Sequence, residues 1–268
     1  MNNLHRELAP ISGGAWAQIE EEAARTLKRY LAARRVVDVN GPGGVELSAI
    51  GTGHQRRIKS VNDGVVAAQR EVKPLVQLRA SFELTRDAID AVERGAQDSD
   101  WAPLKEAARK LAFAEDRAAF EGYAEAGIQG VRQVTSNPVL KLPTDVKSYP
   151  AVIAQAVNQL RLAGVNGPYA LVLGAAPFTA INGANEDGYP VLKHVQQLVD
   201  KEIIWSPAIE GGVVLTTRGG DFDLYLGEDI SIGYQGHSAT SVQLYLQETF
   251  TFVAQTAEAA VMFVPAKK

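Results

Sequence analysis

Residues 45–70 read VELSAIGTGHQRRIKSVNDGVVAAQR, a stretch that limits the architectures open to the whole chain. It is strand-like but poor in large apolar side chains, and Asn62-Asp63-Gly64 supplies a turn near its middle. An isolated hairpin with so little apolar surface is marginally stable at best in water. The sequence therefore predicts an arm that another surface covers, either its own domain or a neighbouring chain.

Before this arm, residues 14–34 form the first strong helical pattern. Their apolar side chains recur at spacings of three and four, which places them on one face of an amphipathic helix. The members of this face are Trp16, Ile19, Ala23, Leu27, Tyr30 and Leu31. Ser12 stands where an N-cap is expected, so the helix should begin directly after it.

After the arm, the chain continues with a strand and two helices. Residues 75–84 (LVQLRASFEL) alternate apolar and polar side chains, as a half-buried strand does. A short helix is predicted over 87–93, and a longer one from about residue 100 to residue 126. At about 1.5 Å per residue the longer helix would measure roughly 40 Å, enough to be the spine of a domain.

The second half mixes short helices and strands. The pattern predicts helices over 149–163, 177–181 and 190–199, with a polar loop, NGANEDGY, at residues 182–189. Strands are predicted over 169–173, 203–205, 213–217, 222–226, 230–234, 242–256 and 260–264. The mixture indicates the α+β class.

Composition narrows the class of protein. Charged residues make up 22% of the 268 residues and the net charge is −4, so a nucleic-acid-binding role has little electrostatic support. The chain has no cysteine, which excludes disulfides, thiolate nucleophiles and thiolate-bound zinc. Residues 162–185 carry no charge, but glycines and prolines interrupt them, so we expect a buried strand and a turn rather than a membrane span. The N-terminus has no apolar signal-peptide core, and we expect a cytoplasmic protein.

Local motifs for catalysis are missing from the sequence. It has no G-x-S-x-G nucleophile elbow and no P-loop, and no two of its four histidines lie within four residues of each other. Glu115 and Asp116 are neighbours in the long predicted helix, where we expect a surface or interface ion pair. We therefore expect no catalytic residue, no metal site and a protein that is not an enzyme; a site assembled from residues distant in the sequence stays open as the alternative.

Several short segments, in the same order over nearly the whole chain, carry a resemblance to a known family. They include LHRELAPIS from residue 4, ARRVVDVNGPGG from 33, LVQLRASFEL from 75, GVNGPYALVLG from 164, GGDFDLYLGEDISIGY from 219 and LQETFTF from 246. The chain resembles the encapsulins, bacterial nanocompartment shell proteins once labelled as linocin-type bacteriocins. It is most similar to their actinobacterial branch.

The resemblance implies the α+β fold of the phage Hong Kong 97 major capsid protein, with a peripheral domain, an extended loop and an axial domain. Residues 1–44 would form the N-terminal arm and helix and the start of the peripheral domain, and 45–72 the extended loop. Residues 73–135 would complete the peripheral domain with its spine helix. Residues 136–218 would be the axial domain, and 219–268 would return to the peripheral domain.

The function implied is that of a self-assembling shell. Strict icosahedral equivalence would give about sixty copies. The shell would enclose a cargo enzyme by binding the C-terminal targeting peptide of that enzyme. The cargo of actinobacterial relatives is most often a dye-decolourising peroxidase, and that of others is a ferritin-like iron-storage protein. Pores at the symmetry axes would pass small molecules, with no nucleic-acid or membrane partner. A hydrolase, a secreted bacteriocin and a phage major capsid protein remain as alternatives.

The resemblance also implies two sites and excludes a third. The cargo peptide would bind at Leu27, Tyr30, Leu31, Arg34, Asp38, Ile230, Ile232 and Tyr234, with Arg34 and Asp38 holding its polar ends. The five-fold pore loop would comprise Asn182, Gly183, Ala184, Asn185, Glu186, Asp187, Gly188 and Tyr189, with Glu186 and Asp187 forming an acidic ring. Some relatives stack a flavin on a Trp, but this chain has Asp87 at that position although it keeps Arg79. We therefore expect no flavin and no other cofactor.

Overall fold

Two five-stranded sheets and a projecting hairpin organise the residues that the computed structural model describes, 3–186 and 188–265. The helices within these ranges are α1 (Gly13–Tyr30), α2 (Arg86–Glu93), α3 (Ala102–Phe120), α4 (Val131–Val134), α5 (Tyr149–Leu162), α6 (Ala175–Gly183) and α7 (Val191–Gln196). The strands of the first half are β1 (Asp38–Asn40), β2 (Ala49–Ile58), β3 (Ala67–Pro74), β4 (Val76–Thr85), β5 (Leu140–Lys141) and β6 (Tyr169–Leu173). Those of the second half are β7 (Asn185–Glu186), β8 (Tyr189–Pro190), β9 (Ile203–Trp205), β10 (Gly212–Thr216), β11 (Phe222–Leu226), β12 (Ser231–His237), β13 (Ser241–Ala254) and β14 (Ala260–Val264).

Helix α1 begins where the sequence predicts, but it ends four residues early. The Ser12 hydroxyl accepts a hydrogen bond from the Ala15 amide at 3.2 Å, so the predicted N-cap is confirmed. At the other end, the amides of Ala32 and Ala33 donate to the carboxylate of Asp116 at 3.0 and 2.9 Å. Because those amides no longer bond to helix carbonyls, the chain leaves α1 and forms a short 3₁₀ turn over Ala33–Arg35.

The spine helix α3 is also shorter than predicted. It spans 19 residues, which corresponds to about 28 Å, and it ends at Phe120 rather than near residue 126. The amides of Glu121 and Gly122 both donate to the Arg117 carbonyl, at 2.7 and 2.9 Å, and Gly122 adopts a φ of 86°. That left-handed conformation suits glycine and stops the helix.

Strand β13 is the centre of the first sheet. It pairs antiparallel with β4, β11 and β12, and β1 adds in parallel to β11. Helices α1, α2 and α3 pack on this sheet around a core that includes Ile19, Leu104 and Leu244. The predicted half-buried strand over 75–84 is thus confirmed as β4.

The second sheet has the order β5-β14-β10-β6-β9. Strand β6 is buried along its whole length because its two faces pack against different partners. Ala170 and Val172 face a core shared with the first sheet, and Leu171 and Leu173 face the core beneath α5 and α7. The last strand, β14, lies between β5 and β10. Residues 219–265 therefore supply strands to both sheets, and the assignment of 219–268 to the peripheral domain stays a prediction.

Strands β2 and β3 form the predicted arm. They pair with each other over residues 49–74, and neither contains a buried residue. Apolar side chains at and near the turn are exposed, with Val61 at 96% and Val66 at 78%. The body of the same chain does not cover them.

The uncharged stretch over 162–185 contains the buried strand β6, as expected, and the whole of α6. Within residues 3–186 and 188–265, no helix combines the length and apolar character needed to cross a lipid bilayer.

Candidate functional site

Three of the predicted peptide-binding residues meet in one groove. Leu27 on α1 lies opposite Ile230 and Ile232, at the start of β12, and together they line a cavity of about 270 Å³. Leu246 of β13 completes its apolar floor. We call this cavity the α1–β12 groove.

Small side chains on α1 make room for the α1–β12 groove. Ala23 and Ala24 line it, one turn before Leu27. The groove also contains one unmet polar group, because the Ser231 Oγ is buried and has no hydrogen-bond partner among the described residues. A buried hydroxyl without a hydrogen-bond partner costs about 1–3 kcal/mol of stability. A ligand whose polar group paired with the Ser231 hydroxyl would remove this cost.

The rim of the α1–β12 groove is formed by an ion pair. Arg6 Nη2 lies 2.5 Å from Glu20 Oε1, and both residues line the cavity. The Arg6 guanidinium also lies over the Trp16 ring, 4.2 Å from its centroid. These contacts tie the N-terminal segment to α1 beside the groove.

Tyr234 lies beyond the groove, further along β12. Its amide donates to the Leu4 carbonyl at 2.8 Å, and its hydroxyl contacts His237 Nδ1 at 2.5 Å. The Tyr245 hydroxyl donates to the Asn3 carbonyl at 3.3 Å. The N-terminal segment therefore occupies this part of β12, and Tyr234 does not line the α1–β12 groove.

Tyr30 and Leu31 do not line the groove either. The Tyr30 ring packs against Phe113, with centroids 5.6 Å apart, and against Trp205 at 5.7 Å. It borders a separate groove between α1 and α3. Leu31 is half-buried against the core around Ile19.

Arg34 is held by carboxylates of its own chain. Its guanidinium contacts Glu115 at 2.5 Å, Asp229 at 2.7 Å and Glu248 at 3.1 Å. Glu115 and Glu248 have no exposure to solvent, and only 17% of the Arg34 side chain is exposed. The expectation that Glu115 forms a surface or interface pair is therefore wrong, because the partner is an internal arginine.

Burial shapes the protonation of this cluster. Burial raises the pKa of Glu248 well above its usual range, and the charge and hydrogen bond of Glu115 add to the rise, outweighing Arg34. Burial disfavours the charge of Arg34, but hydrogen bonds and charges of Glu115 and Asp229 outweigh it and raise its pKa. The Oε1 atom of Glu248 has no hydrogen-bond partner in the described part of the chain.

Asp116, next to Glu115, is equally buried and has a separate set of partners. It accepts from the amides of Ala32 and Ala33 and from the Ser206 hydroxyl, the last at 2.8 Å. Burial raises the pKa of Asp116 to about 7 despite these hydrogen bonds. The acid serves to join α3 to the segment after α1, so its expected surface location is also wrong.

Asp38 lies in a different place from the α1–β12 groove. Its carboxylate accepts from the Gly220 amide at 2.6 Å, and it lines a small cavity with Lys201 and Thr216. The eight residues predicted to bind the peptide are therefore divided among several surfaces.

The predicted pore loop is divided between the end of α6, which includes Asn182 and Gly183, and a short hairpin that follows. Strands β7 and β8 pair Asn185 with Pro190 and Glu186 with Tyr189. The Asn182 side chain donates to the Phe178 carbonyl at 2.7 Å, and the Tyr189 ring meets the His194 ring edge-on at 4.7 Å. Glu186 is half-buried, Gly188 lies between β7 and β8 with a φ of 83°, and Asp187 lies outside the described residues.

Position 87, where some relatives have a tryptophan, carries the carboxylate of Asp87, so this residue offers no aromatic ring for a flavin to stack on. The Arg79 guanidinium lies over the Tyr245 ring at 4.0 Å and donates to Gln247 at 2.8 Å. Asp87 pairs with Arg94 at 3.0 Å. Elsewhere in the described ranges, no three His, Asp or Glu side chains are grouped to hold a metal ion.

Sequence reasoning missed several residues of the α1–β12 groove: Arg6, Glu20, Ala23 as a lining residue, Ala24, Ser231 and Leu246. Two adjacent alanines one turn before Leu27 on the same side of α1 were a signal for a concave surface. The contribution of Ser231 and Leu246 depends on the pairing of β12 with β13, which no local pattern reveals.

Comparisons with known proteins agree with this architecture. A family described as "Encapsulating protein for peroxidase" matches residues 1–251. A type 1 encapsulin shell protein from Rhodococcus erythropolis is 59% identical over 261 residues, which cover 97% of this chain and 99% of that protein.

Solved structures show the same fold at low sequence identity. A virus-like particle from Pyrococcus furiosus has a TM-score of 0.62 at 14% identity, with 92% of this chain and 98% of that chain covered. A structure of Gordonia phage Cozz has a TM-score of 0.54 at 13% identity, covering 89% and 87% of the two chains. The predicted α+β capsid fold is confirmed.

Proposed function

The chain belongs to the encapsulin family of shell proteins and forms a capsid-like compartment, and from that premise we propose that the compartment encloses an enzyme held by its C-terminal targeting peptide. The observation that carries this proposal is the α1–β12 groove, which combines an apolar floor with a buried, unpartnered Ser231 hydroxyl. An extended peptide could place aliphatic side chains on that floor and a backbone group at Ser231.

The chemistry of the groove supports a short, apolar recognition motif. Ala23, Ala24 and Leu27 leave a shallow concave surface, and Ile232 and Leu246 are themselves buried. Burying one Leu or Ile of a peptide contributes about 1.5–3 kcal/mol. Two such side chains give modest affinity, which the many identical sites of a closed shell would increase through multivalency.

Among the residues expected to hold the peptide, Leu27, Ile230 and Ile232 receive the most support because they share the groove. Arg34 receives less, since Glu115, Glu248 and Asp229 already surround its guanidinium. Tyr30, Leu31, Asp38 and Tyr234 would act only if the peptide extends beyond the groove.

Shell closure would depend on the β2–β3 hairpin. Its exposed apolar side chains, such as Val61 and Val66, have no partner surface within the subunit. A neighbouring subunit that covered them would remove apolar area from water and stabilise both chains. About sixty such subunits would complete the smallest icosahedral shell.

The cargo we propose is a peroxidase, because the matching family is described as encapsulating one. The hairpin of β7 and β8 would line a pore for its small substrates, with Glu186 and Asp187 favouring cations. The compartment would lie in the cytoplasm.

The test is purification of the protein together with its cargo from the native organism. We expect hollow, regular particles by electron microscopy, and a peroxidase with an apolar C-terminal peptide by mass spectrometry. Particles that contain another enzyme, such as a ferritin-like protein, would replace the cargo assignment and leave the shell intact. Particles filled with DNA would contradict enzyme encapsulation.

A further inference from the structure

A second groove, between α1 and α3, is distinct from the α1–β12 groove and has a volume of about 540 Å³. Four cationic side chains line it, Arg25, Arg29, Lys105 and Arg109. The groove thus has a cationic lining on a chain whose net charge is −4. Small-molecule sites in proteins usually measure about 300–1,000 Å³, so the size suits a ligand. We call it the α1–α3 groove.

Two carboxylates also line the α1–α3 groove, and both are engaged. Glu22 is buried and pairs with Arg25 on the same helix. Glu106 receives two hydrogen bonds from Arg109, at 2.8 and 3.0 Å. These acids therefore neutralise two of the four cations and leave the other two without a counter-charge.

Those two cations are Arg29 and Lys105. Neither forms an ion pair with any acid in the described part of the chain, and both are exposed. The Arg29 guanidinium lies 5.9 Å from the centroid of Tyr30 and 5.8 Å from that of Trp205. Contacts of this kind restrain a guanidinium while leaving its N–H groups available.

Arg109 is restrained in a similar way on the opposite helix. Its guanidinium lies 5.2 Å from the Phe113 ring centroid while it pairs with Glu106. Because aromatic contacts and ion pairs already limit their motion, the arginines of both helices would lose little conformational freedom on meeting an anion. The α1–α3 groove is therefore a partly organised anion site.

We propose that the α1–α3 groove binds an oligophosphate group, as carried by inorganic triphosphate or by a nucleoside triphosphate. Guanidinium forks match phosphate oxygens, and several cations in one groove fit a ligand with several adjacent negative charges. Asp100 caps α3 through the Ala102 amide at 2.9 Å, and its negative charge opposes an anion at that end of the groove. The phosphates contact Arg29 and Lys105 first because neither cation has a counter-charge among the described residues.

The test is calorimetric titration of the full-length protein with inorganic triphosphate and, separately, with ATP. We expect saturable binding that weakens as ionic strength rises. The double variant Arg29→Gln, Lys105→Gln should bind at least about tenfold more weakly, because it removes the two cations that have no counter-charge in the described ranges and their charge-assisted hydrogen bonds to phosphate. Both side chains are exposed, so the unfolding temperature of the variant should match that of the unmodified protein.

Lys28→Gln is the matched control. It removes one positive charge from the residue next to Arg29, but Lys28 does not line the groove. We expect less than a twofold change in affinity for this variant. Equal affinities for triphosphate and ATP indicate that the phosphates alone are recognised, and tighter ATP binding indicates an added contact with the nucleoside. Absence of saturable binding, or equal losses in the control and the double variant, overturns the proposal without affecting the assignment of the shell.

Discussion

The Nη2 atom of Arg34 lies 2.5 Å from Oε2 of Glu115, a carboxylate with no exposure to solvent. The same guanidinium reaches Glu248 in β13 and Asp229 in the turn before β12. One cation from the segment after α1 therefore holds acids from three other parts of the chain. Arg34 therefore stabilises the fold of the subunit, and a bound peptide would have to compete with these three carboxylates for its guanidinium.

Replacing Arg34 should destabilise the subunit. Arg34→Ala leaves the buried Glu115 without its counter-charge, and breaking a buried pair in this way costs about 3–5 kcal/mol. We expect a lower unfolding temperature and a reduced yield of particles, measured by scanning fluorimetry and size-exclusion chromatography. Arg35→Ala is the control, because its pair with Glu202 is exposed and should contribute less than about 1 kcal/mol. Normal particles that lack only cargo would instead make Arg34 a peptide ligand.

The buried acids predict a dependence of stability on pH. Since the pKa of Glu248 is raised, its folded form holds a proton more tightly than the unfolded chain does. The resulting stability is fully present below the unfolded pKa of about 4.3 and is lost as pH rises through the folded value. The unfolding temperature should therefore fall as the pH rises above about 5.

Glu248→Gln tests this assignment, because glutamine keeps the shape of the side chain and cannot ionise. We expect a smaller fall in unfolding temperature over the same pH range, with a residual fall from Asp116, whose pKa is about 7. Glu258→Gln, at an exposed position, should leave the pH profile unchanged. Identical profiles for the unmodified protein and Glu248→Gln would show that Glu248 is not the titrating group.

Filling the α1–β12 groove with charge should release cargo without preventing assembly. Ala24→Asp puts a carboxylate in the lining of the groove, where a bound peptide would have to strip water from an unpaired charge. Loss of one buried aliphatic contact lowers affinity by about tenfold or more. The measurement is the amount of cargo per particle after co-expression. Ala17→Asp adds the same charge to an exposed position of α1 outside the groove and should load normally.

The β2–β3 hairpin should matter for assembly and little for the fold of the subunit. Val65→Asp with Val66→Asp changes side chains that are 56% and 78% exposed, so subunit stability should shift by less than about 0.5 kcal/mol per site. We expect soluble, folded subunits and no particles by negative-stain microscopy. Asn62→Asp adds charge to the turn without removing an apolar side chain, and should still assemble. Particles formed by the double variant would contradict the role of the hairpin.

The acids of the pore loop should control the passage of cations. Glu186→Gln with Asp187→Asn removes the charge of the proposed ring, which lowers the local concentration of cations. We expect slower uptake of a metal ion by an encapsulated reporter, with particle yield unchanged. Glu125→Gln, an exposed acid outside the loop, serves as the control. Equal uptake rates in all three proteins would remove these acids from the pore.

The local sequence pattern was sufficient to predict those elements whose burial or capping depends on residues adjacent in the chain. The fully buried strand β6 and the capped start of α1 both match their predictions, because five consecutive apolar residues and a serine N-cap are local signals. The role of Arg34 could not be predicted in this way. Its partners Glu115 and Glu248 lie 81 and 214 positions away, and only the folded chain shows that a surface-like pattern of charges is internal.

The ends of helices show a similar limit. The end of α1 depends on the capture of two amides by Asp116, and the end of α3 depends on Gly122 in a left-handed conformation. Asp116 does not interrupt the helical periodicity of its own segment, so it gives no local signal for the end of α1, whereas Gly122 is a local stop signal that the prediction passed over. The spine was therefore predicted with too great a length, although its existence and position were correct.

The order of strands in the second sheet has a consequence for biosynthesis. Strand β14 follows every other strand of that sheet in the chain, yet it lies between β5 and β10. While a ribosome is still translating the preceding residues, β10 lacks one neighbour and the sheet has a gap at an interior position. A truncated polypeptide keeps this gap permanently, so incomplete translation products should be degraded before they can reach a growing particle.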